Sequence, residues 1–238
     1  MSARLERAVL TAAAHEYLRA GWPVAPGAWW SPQLQRYRCG RPRCRTSSPH
    51  AVDPGIGPAG DRCRATVAEC VVKTPTEVDR WWTGHPYALL MPTSTGPGVV
   101  DGAEDVVTVI DERLRADGYL APISSSKVGQ AQLFCQQLRP GQELWLTAAG
   151  AGVLLHGEDS WVTLPPSTVR TGQVRWLRSP QECGWRLPPA AVVCDALRVA
   201  LSFRARPVNT FPPPRLPEIK RPQQAPVEKS SVITGRPG

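Results

Sequence analysis

The feature that most limits how this chain can fold is the loss of regular periodicity between residues 27 and 73. This segment is rich in Pro, Gly, Arg and Cys, and it shows neither a helical period nor the alternation of a strand. A stretch of this length without regular structure is uncommon inside a compact domain. We therefore expect residues 27–73 to be either an insertion or a loop held by a metal ion.

Ordinary helix and strand patterns flank this segment on both sides. Before it, residues 3–19 predict a helix and residues 22–26 predict a short strand. After it, helical and strand patterns are mixed without the strict alternation of a doubly wound sheet. The sequence therefore predicts an α+β domain, a mixed sheet with flanking helices, over residues 1–204.

Three local details of this domain follow from the same patterns. A capping box is predicted where Thr74 precedes Pro75 and Glu77, with proline at the first helical position. The alternating segments 160–164 and 173–177 predict a hairpin with one buried face. The apolar residues of the first helix that share one face are Leu5, Val9, Ala12 and Ala13.

The stretch LLMPTSTGPGVVDGAED, residues 89–105, ends in a group of acids, Asp101, Glu104 and Asp105. Carboxylates that lie close together hold divalent metal ions, and such a site would make the chain an enzyme. Alternatively, Asp101 caps the helix that follows, with Glu104 as its capping-box partner. We favour the second interpretation at this point because it needs no chemistry.

A group of cysteines and a histidine lies in the irregular segment. Cys39, Cys44 and His50 fall within twelve residues, and Cys63 or Cys70 could supply a fourth ligand. Thiolates with an imidazole suit tetrahedral Zn²⁺, and a loop with little apolar content gains stability from a bound ion. A structural zinc is one interpretation, and a flexible loop with unligated thiols is the other.

The same segment concentrates positive charge around Tyr37. Arginine at this density beside an aromatic ring suits phosphate contact and base stacking, although a solvated basic surface would have the same composition. Contact with DNA or RNA is therefore one of two interpretations of these arginines, which are Arg36, Arg38, Arg41, Arg43 and Arg45. The nearby tryptophans are expected to pack in the core instead: Trp29, Trp30, Trp81 and Trp82.

Composition adds expectations about the C-terminus and the compartment. Residues 205–238 carry six basic and two acidic residues and eight prolines, within a chain of net charge +8. This composition predicts a disordered, basic, Pro-rich tail that could dock a protein partner. No apolar run approaches a membrane span, and residues 1–10 lack a secretory signal, so a cytoplasmic protein without membrane contact is expected.

The order of the motifs resembles a known family. A helix leads into GWPVAP, a Cys/His insertion follows, and then come TPTEVDRWWTGHPYALLMPTSTG and SWVTLPPSTVRTGQVRW. From about Ala12 to Leu201 the chain resembles the N-terminal domain of bifunctional DNA primase/polymerases, the prim-pol domain of the archaeo-eukaryotic primase superfamily, in a short stand-alone form. The resemblance implies nucleotidyl transfer in DNA replication with Mg²⁺ or Mn²⁺, a nucleoside triphosphate and nucleic acid.

The motifs that such polymerases use are altered in this chain. Asp101 falls at the first acid of a D-x-D pair, whose second position is Ala103. The histidine of a Ser-x-His-like motif falls on Ala131 or Gln132, and the third acid falls in the apolar residues 153–155. The resemblance implies that Asp101, Glu104 and Asp105 are the catalytic candidates and that the nucleotide phosphates contact Ser126, Lys127 and His156. His156 alternatively only ends a strand.

Three functions are therefore compatible with the sequence. The first is a primase/polymerase-like protein that binds nucleic acid and nucleotide, with transfer retained or lost. The second is a non-catalytic DNA- or RNA-binding module. The third is an adaptor that acts through its Pro-rich tail. We place the chain in the first class.

Overall fold

The computed structural model describes residues 3–41, 44, 48–52, 66–157 and 160–204. None of the helices in these ranges is long and apolar enough to cross a membrane. The helices are α1 (Ala3–Arg19), a 3-10 turn (Ala68–Cys70), α2 (Pro75–Trp82), α3 (Glu104–Ala116), α4 (Gln142–Gly150) and α5 (Ala190–Arg204). The tail predicted for residues 205–238 lies outside the described residues.

The strands of the described residues form four antiparallel sheets. They are β1 (Ala25–Gly27), β2 (Trp29–Ser31), β3 (Arg36–Arg38), β4 (Ala88–Pro92), β5 (Gly98–Ala103), β6 (Ile123–Lys127), β7 (Gln130–Cys135), β8 (Leu154–His156), β9 (Trp161–Leu164), β10 (Thr168–Val169), β11 (Gly172–Gln173) and β12 (Arg175–Arg178). The main sheet has the order β12-β6-β7-β5-β8, and a second sheet has the order β1-β4-β9. Strands β2 and β3 form a hairpin, as do β10 and β11. The α+β prediction is confirmed.

The main sheet is built around a β5-α3-β6-β7-α4-β8 unit. Its strand order, β6-β7-β5-β8, is that of the ferredoxin-like arrangement, and β12 extends it at the β6 edge. Helices α3, α4 and α5 cover one face. There Val100, Leu133 and Leu155 are buried against Ile110 and Leu197.

The opposite face of the main sheet packs against the N-terminal half of the domain. Phe134 on β7 lies in a second buried cluster with Trp22, Trp82 and Leu89. The rings of Trp22 and Phe134 are stacked with their centroids 5.5 Å apart. Successive residues of a strand point to opposite faces, so Leu133 and Phe134 belong to different cores. The main sheet is therefore the layer that the two cores share.

A buried ion pair ties β12 to the helical layer. Both terminal nitrogens of Arg178 donate to the Asp111 carboxylate of α3, at 2.7 and 2.6 Å. The hydrogen bond to Asp111 raises the pKa of the Arg178 guanidinium. Arg178 also donates to the carbonyl of Ala121. Because the edge strand and the helix share this bidentate contact, its loss would leave the buried Asp111 carboxylate with the ion pair to Arg115 at 3.0 Å and without its bidentate partner.

The capping box at the start of α2 is confirmed. The Thr74 hydroxyl accepts a hydrogen bond from the Glu77 N–H at 3.2 Å, and the Glu77 carboxylate accepts one from the Thr74 N–H at 3.2 Å. Pro75 occupies the first helical position. The local sequence is sufficient here because every partner lies within four residues.

The predicted face of α1 is wrong. Leu5 and Val9 are 53% and 37% exposed, whereas Leu10, Ala14 and Tyr17 are buried. The Tyr17 hydroxyl donates to the carbonyl of Pro165 and accepts from Trp176, so the helix is oriented by a distant part of the chain. The prediction considered only the spacing of aliphatic residues, so it did not identify Tyr17 as the residue that anchors the helix.

The hairpin predicted from residues 160–164 and 173–177 is also wrong. Strand β9 pairs with β4, whereas β12 pairs with β6 in the main sheet. Alternation indicates which side chains share a face but does not identify the partner strand. The connection between β9 and β12, which carries the small β10–β11 hairpin, therefore passes from one sheet to the other.

Candidate functional site

Asp101 lies inside β5, and its predicted role as a helix cap is wrong. Helix α3 begins at Glu104, and Ala103 holds the cap position without a side-chain hydrogen bond. Asp101 instead lies opposite Gln132 of β7 and Leu154 of β8. Asp101 and Glu104 have the spacing of a capping box. The strand that contains the buried Val99 and Val100 nevertheless continues through Asp101.

A chain of hydrogen bonds across three strands holds the Asp101 carboxylate. The Gln132 amide donates to Asp101 Oδ2 at 2.8 Å. The Ser124 hydroxyl, which is fully buried on β6, donates to Gln132 Oε1 at 3.2 Å. Because the serine occupies the amide oxygen, the amide nitrogen points at the acid. The carboxylate is therefore fixed by groups that belong to the sheet itself.

His156, the last residue of β8, places its imidazole beside the same carboxylate. Nδ1 lies 2.7 Å from the Ser160 hydroxyl, and Nε2 lies 3.6 Å from Asp101 Oδ2. The residue is 8% exposed, and Nε2 is the one buried side-chain polar atom of the described residues that has no hydrogen-bond partner. Buried polar atoms are almost always paired, and Nε2 faces the Asp101 carboxylate at a distance just beyond that of a hydrogen bond.

An open cavity of about 410 Å³ borders two of these residues, Gln132 and His156. Its lining also includes Ser126, Ser160 and Val169, whereas Asp101 lies next to Gln132 and His156 and does not line the cavity. This volume falls in the range of small-molecule sites, and most of the lining side chains are polar. The cavity, His156 and the adjacent Asp101 carboxylate together form the candidate site.

The other predicted catalytic acids lie next to this site rather than in it. Glu104 and Asp105 are exposed in the first turn of α3. Acids in this position stabilise a helix through its dipole. One oxygen of Asp105 accepts the N–H of Val106. Within the described residues, the three predicted acids do not come together as a group of metal ligands.

Apart from Gln132, the strand neighbours of Asp101 are apolar. Ala103 lies two residues further along the same face of β5, and Leu154 lies opposite on β8. Of the predicted phosphate-binding residues, Ser126 lines the cavity, whereas Lys127 is exposed at the end of β6. Asp101 is therefore a single carboxylate paired with His156.

A second candidate site lies at the end of β3. One ligand atom from each of Cys39, Cys44 and His50 falls within 4.8 Å of the others, and Cys44 Sγ lies 3.4 Å from His50 Nε2. His50 Nδ1 lies 2.9 Å from the carbonyl of Ser48. A carbonyl can only accept, so Nδ1 donates and Nε2 is left with a lone pair, as in metal-bound histidines. The cluster could hold a metal ion.

The structure brings only part of the predicted zinc set together. Cys63 lies outside the described residues, and Cys70 lies in a different buried cluster with Val67 and Leu90. Tyr87 lies close to the three grouped ligands. Burial, with a smaller contribution from Cys39, raises the pKa of its hydroxyl. The three grouped residues border an aromatic core.

The β2–β3 hairpin displays the predicted arginines. Arg36 and Arg38 are exposed, and Tyr37 between them is buried. Arg41 follows the hairpin, and Arg43 and Arg45 lie outside the described residues. Exposed guanidinium groups on a segment without acids suit phosphate contact.

Two hydrogen bonds connect this hairpin to the edge of the cavity. The Tyr37 hydroxyl accepts from the backbone N–H of Arg170 at 3.1 Å, in the turn between β10 and β11. The Thr171 hydroxyl of the same turn donates to the carbonyl of Ser126 at 2.8 Å. The β10–β11 turn is therefore attached to the arginine hairpin on one side and to the cavity wall on the other.

The sequence alone did not identify Ser124, Ser160 or the role of Gln132. Alternation in β7 could have indicated that Gln132 shares a face with Phe134, which is a buried position, and a polar residue on a buried face is a signal of function. Nothing in the local sequence connects Ser160 with His156. That pair depends on how β8 and β9 are placed relative to each other.

Comparison with known proteins gives one result. The family model for bifunctional DNA primase/polymerase, N-terminal, matches residues 14–192. These residues include both candidate sites and every described strand. No curated protein and no solved structure matches the chain.

Proposed function

Because the chain belongs to the family of bifunctional DNA primase/polymerase N-terminal domains, we propose that it binds a nucleoside triphosphate with a divalent metal ion at the Asp101–His156 cavity. The single observation that supports this most is the orphan Nε2 of His156, which is buried and lies 3.6 Å from Asp101. A cavity lined by His156, with a fixed carboxylate next to the imidazole, suits a metal-bound polyphosphate.

The residues of this chain fit such a ligand in a specific way. Among the described strands Asp101 supplies the one carboxylate, and Gln132 orients it. Mg²⁺ is commonly held by one or two carboxylates together with substrate phosphates, so a single acid suffices when the triphosphate supplies the remaining oxygens. When bound, the ion would neutralise phosphate charge and polarise the reacting oxygens. We therefore expect metal and nucleotide to bind together, each weakly alone.

His156 contributes through its second nitrogen. Ser160 lies at Nδ1, and a hydroxyl can either donate or accept there. If the hydroxyl donates, Nε2 carries the proton and can donate to a phosphate oxygen. If it accepts, Nε2 has a lone pair for a cation. The first arrangement suits a phosphate contact and the second suits metal ligation, and both put Nε2 on the ligand.

The experiment is an isothermal titration of Mn²⁺ with a deoxynucleoside triphosphate into the purified chain. We expect binding that requires both components and that falls at least tenfold in Asp101→Ala and in His156→Gln. Asp195→Ala removes an acid from the exposed surface of α5 and is the matched control. Equal binding by all four proteins would contradict the site.

A second candidate function is nucleic-acid binding without transfer. The observation that favours it is the pair of apolar neighbours of Asp101, Ala103 and Leu154, where polymerases of this family need more acids. Primer extension with Mn²⁺ separates the two. Incorporation that disappears in Asp101→Ala would support transfer, and nucleotide binding without incorporation would support the binding module.

We further propose that Cys39, Cys44 and His50 hold a structural zinc ion. Their grouping and the tautomer set by Ser48 support this assignment. Metal analysis is expected to give about one zinc per chain, and Cys44→Ser is expected to abolish it. Cys63→Ser tests the fourth ligand, with Cys194→Ser as a control for loss of a thiol. Equal zinc in all variants would contradict the assignment.

Nucleic acid is proposed to contact Arg36, Arg38 and Arg41. Such contact should weaken steeply with salt, because phosphate binding releases counterions. Arg38→Ala with Arg41→Ala should reduce both the affinity and the salt slope. Docking of a protein partner by residues 205–238 stays a prediction, which truncation after Ser202 would test.

A further inference from the structure

A stack of three planar groups lies on the outward side of the β2–β3 hairpin. The guanidinium carbon of Arg38 lies 5.4 Å from the centre of the Trp29 ring. The His85 imidazole, from the turn between α2 and β4, lies parallel to the same indole at 13°, with the ring centres 5.2 Å apart. Trp29 is half-buried, and His85 and Arg38 are exposed. The stack therefore reaches the surface.

The ring of Tyr87 fixes the orientation of this stack from below. Tyr87 is buried, and it meets Trp29 at 81° and His85 at 74°, with centres 5.3 and 5.5 Å apart. The Trp29 and His85 rings are parallel, and both have their edges towards the Tyr87 ring. Neither of the two can therefore lie flat against the protein. They stand with their planes across the surface, so a further flat group can extend the stack.

Charge around the stack indicates what that group is attached to. Trp29 pairs with Arg38 and Ser31 pairs with Arg36, so the two arginines share one face of the hairpin. Residues 27–41 contain no aspartate or glutamate. An aromatic plane flanked by arginines and free of acids suits a ligand that combines flat rings with repeated negative charge.

We propose that Arg38, Trp29 and His85 form a stacking site for a base of single-stranded nucleic acid, with Arg36 on the adjoining phosphate. This rests on the proposed nucleic-acid function and identifies its substrate as an unpaired strand, because the base faces of a duplex are already stacked. Every base offers a flat face, so recognition here does not depend on sequence.

The core packing that the sequence predicted for Trp29 is present, because its ring packs against the second buried cluster. The same ring also contacts an exposed imidazole, an exposed guanidinium and the edge-on ring of Tyr87. The first two groups can be displaced or extended by a base without opening the core.

The test compares three fluorescent oligonucleotides by anisotropy: oligo-dT, the same length of abasic backbone, and a duplex. Wild type should bind oligo-dT most tightly. Trp29→Ala and His85→Ala should each weaken oligo-dT binding about tenfold, and leave abasic binding unchanged, because stacking contributes only when a base is present. Arg36→Ala should weaken binding to both single strands, because a phosphate contact does not depend on the base.

Matched variants separate stacking from loss of structure. Trp145→Ala removes a tryptophan of similar exposure from α4 and should bind like wild type. Trp29→Phe and His85→Tyr keep a flat ring and should restore most of the oligo-dT affinity. If His85→Ala weakens oligo-dT and abasic binding equally, or leaves both unchanged, the stack only packs the surface and the proposal is overturned.

The titration of Mn²⁺ with nucleotide distinguishes failure of the proposed stacking site from failure of the proposed nucleotide site at the cavity. Trp29→Ala and His85→Ala should bind nucleotide like wild type, and Asp101→Ala should keep its preference for oligo-dT over the abasic strand. Nucleotide binding without base-dependent strand binding would overturn the stacking site alone. Base-dependent strand binding without nucleotide binding would overturn only the proposal that nucleotide binds at the cavity.

Discussion

The two candidate sites are built on different kinds of structure. Asp101, Gln132 and His156 lie on adjacent strands of the main sheet, and main-chain pairing sets their spacing. Cys39, Cys44 and His50 lie at and beyond the end of a short hairpin, in the segment where the sequence shows no regular period. Sheet geometry alone places the first group, whereas the second has little regular structure to position it.

This difference implies different origins of stability. The main sheet has an apolar core on each face. Placing the candidate site on this sheet therefore disrupts neither core. The hairpin segment has few buried aliphatic side chains and would gain most from a bound ion. The predictions that follow measure how separate the two regions are.

The largest expected effect is from a matched pair of leucines. Leu133→Ala removes a fully buried side chain of the main sheet and should lower the free energy of unfolding by about 4 kcal/mol. Leu34→Ala, in the hairpin turn and 49% exposed, should change it by less than about 0.5 kcal/mol. Urea unfolding measures both. A similar loss in Leu34→Ala would mean that this side chain packs as tightly as one in the main sheet.

The buried ion pair should give the next largest effect. Arg178→Ala leaves the Asp111 carboxylate with only its ion pair to Arg115 and should cost about 2 kcal/mol, the loss of hydrogen bonds between charged groups. Arg198→Ala breaks an exposed pair with Asp195 and should cost less than about 0.5 kcal/mol. The zinc content should be unchanged in both variants. Loss of metal from Arg178→Ala would show that the two regions are coupled.

The cap at the end of the irregular segment should have a smaller effect. Thr74→Ala removes the hydroxyl that caps α2 and should cost about 1 kcal/mol, whereas Thr74→Ser should retain most of the stability. Thermal unfolding measures the difference. If alanine and serine destabilise equally, the hydroxyl does not set the boundary between the loop and the helix.

The reactivity of the thiols should separate the regions without changing stability. Burial raises the pKa of the Cys194 thiol, so its thiolate forms only above the usual thiol range. Its alkylation by iodoacetamide should be slow at pH 8 and accelerate as the pH rises further. Added Zn²⁺ should slow the alkylation of Cys44 and leave that of Cys194 unchanged, as followed by peptide mass spectrometry. Equal slowing of both would argue against a specific metal site.

Much of the local structure could be predicted from the sequence. The helix over residues 3–19 and the capping box of Thr74 and Glu77 depend on neighbours in the chain, and both are present. The long-range pairing could not be predicted. The pattern of residues 160–164 and 173–177 is compatible with any partner strand, and the structure sends them to different sheets.

The candidate cavity shows the same limit. The family resemblance indicated Asp101 and His156 separately, but the spacing of Asp101 and Glu104 favoured a helix cap. What decides the matter is the continuation of β5 beyond Val100, which pairing with β7 and β8 enforces. The contact between Ser160 and His156 likewise depends on the placement of two strands, β8 and β9, rather than on a motif.

The bond between Tyr37 and Arg170 has a consequence for hydrogen exchange. Amides in exposed turns normally exchange quickly, but the Arg170 N–H donates to the hydroxyl of a buried ring. Its exchange should be slow for as long as the hairpin stays docked. This one amide is far along the chain from the cysteines, and it reports directly whether the segment that carries them is in place.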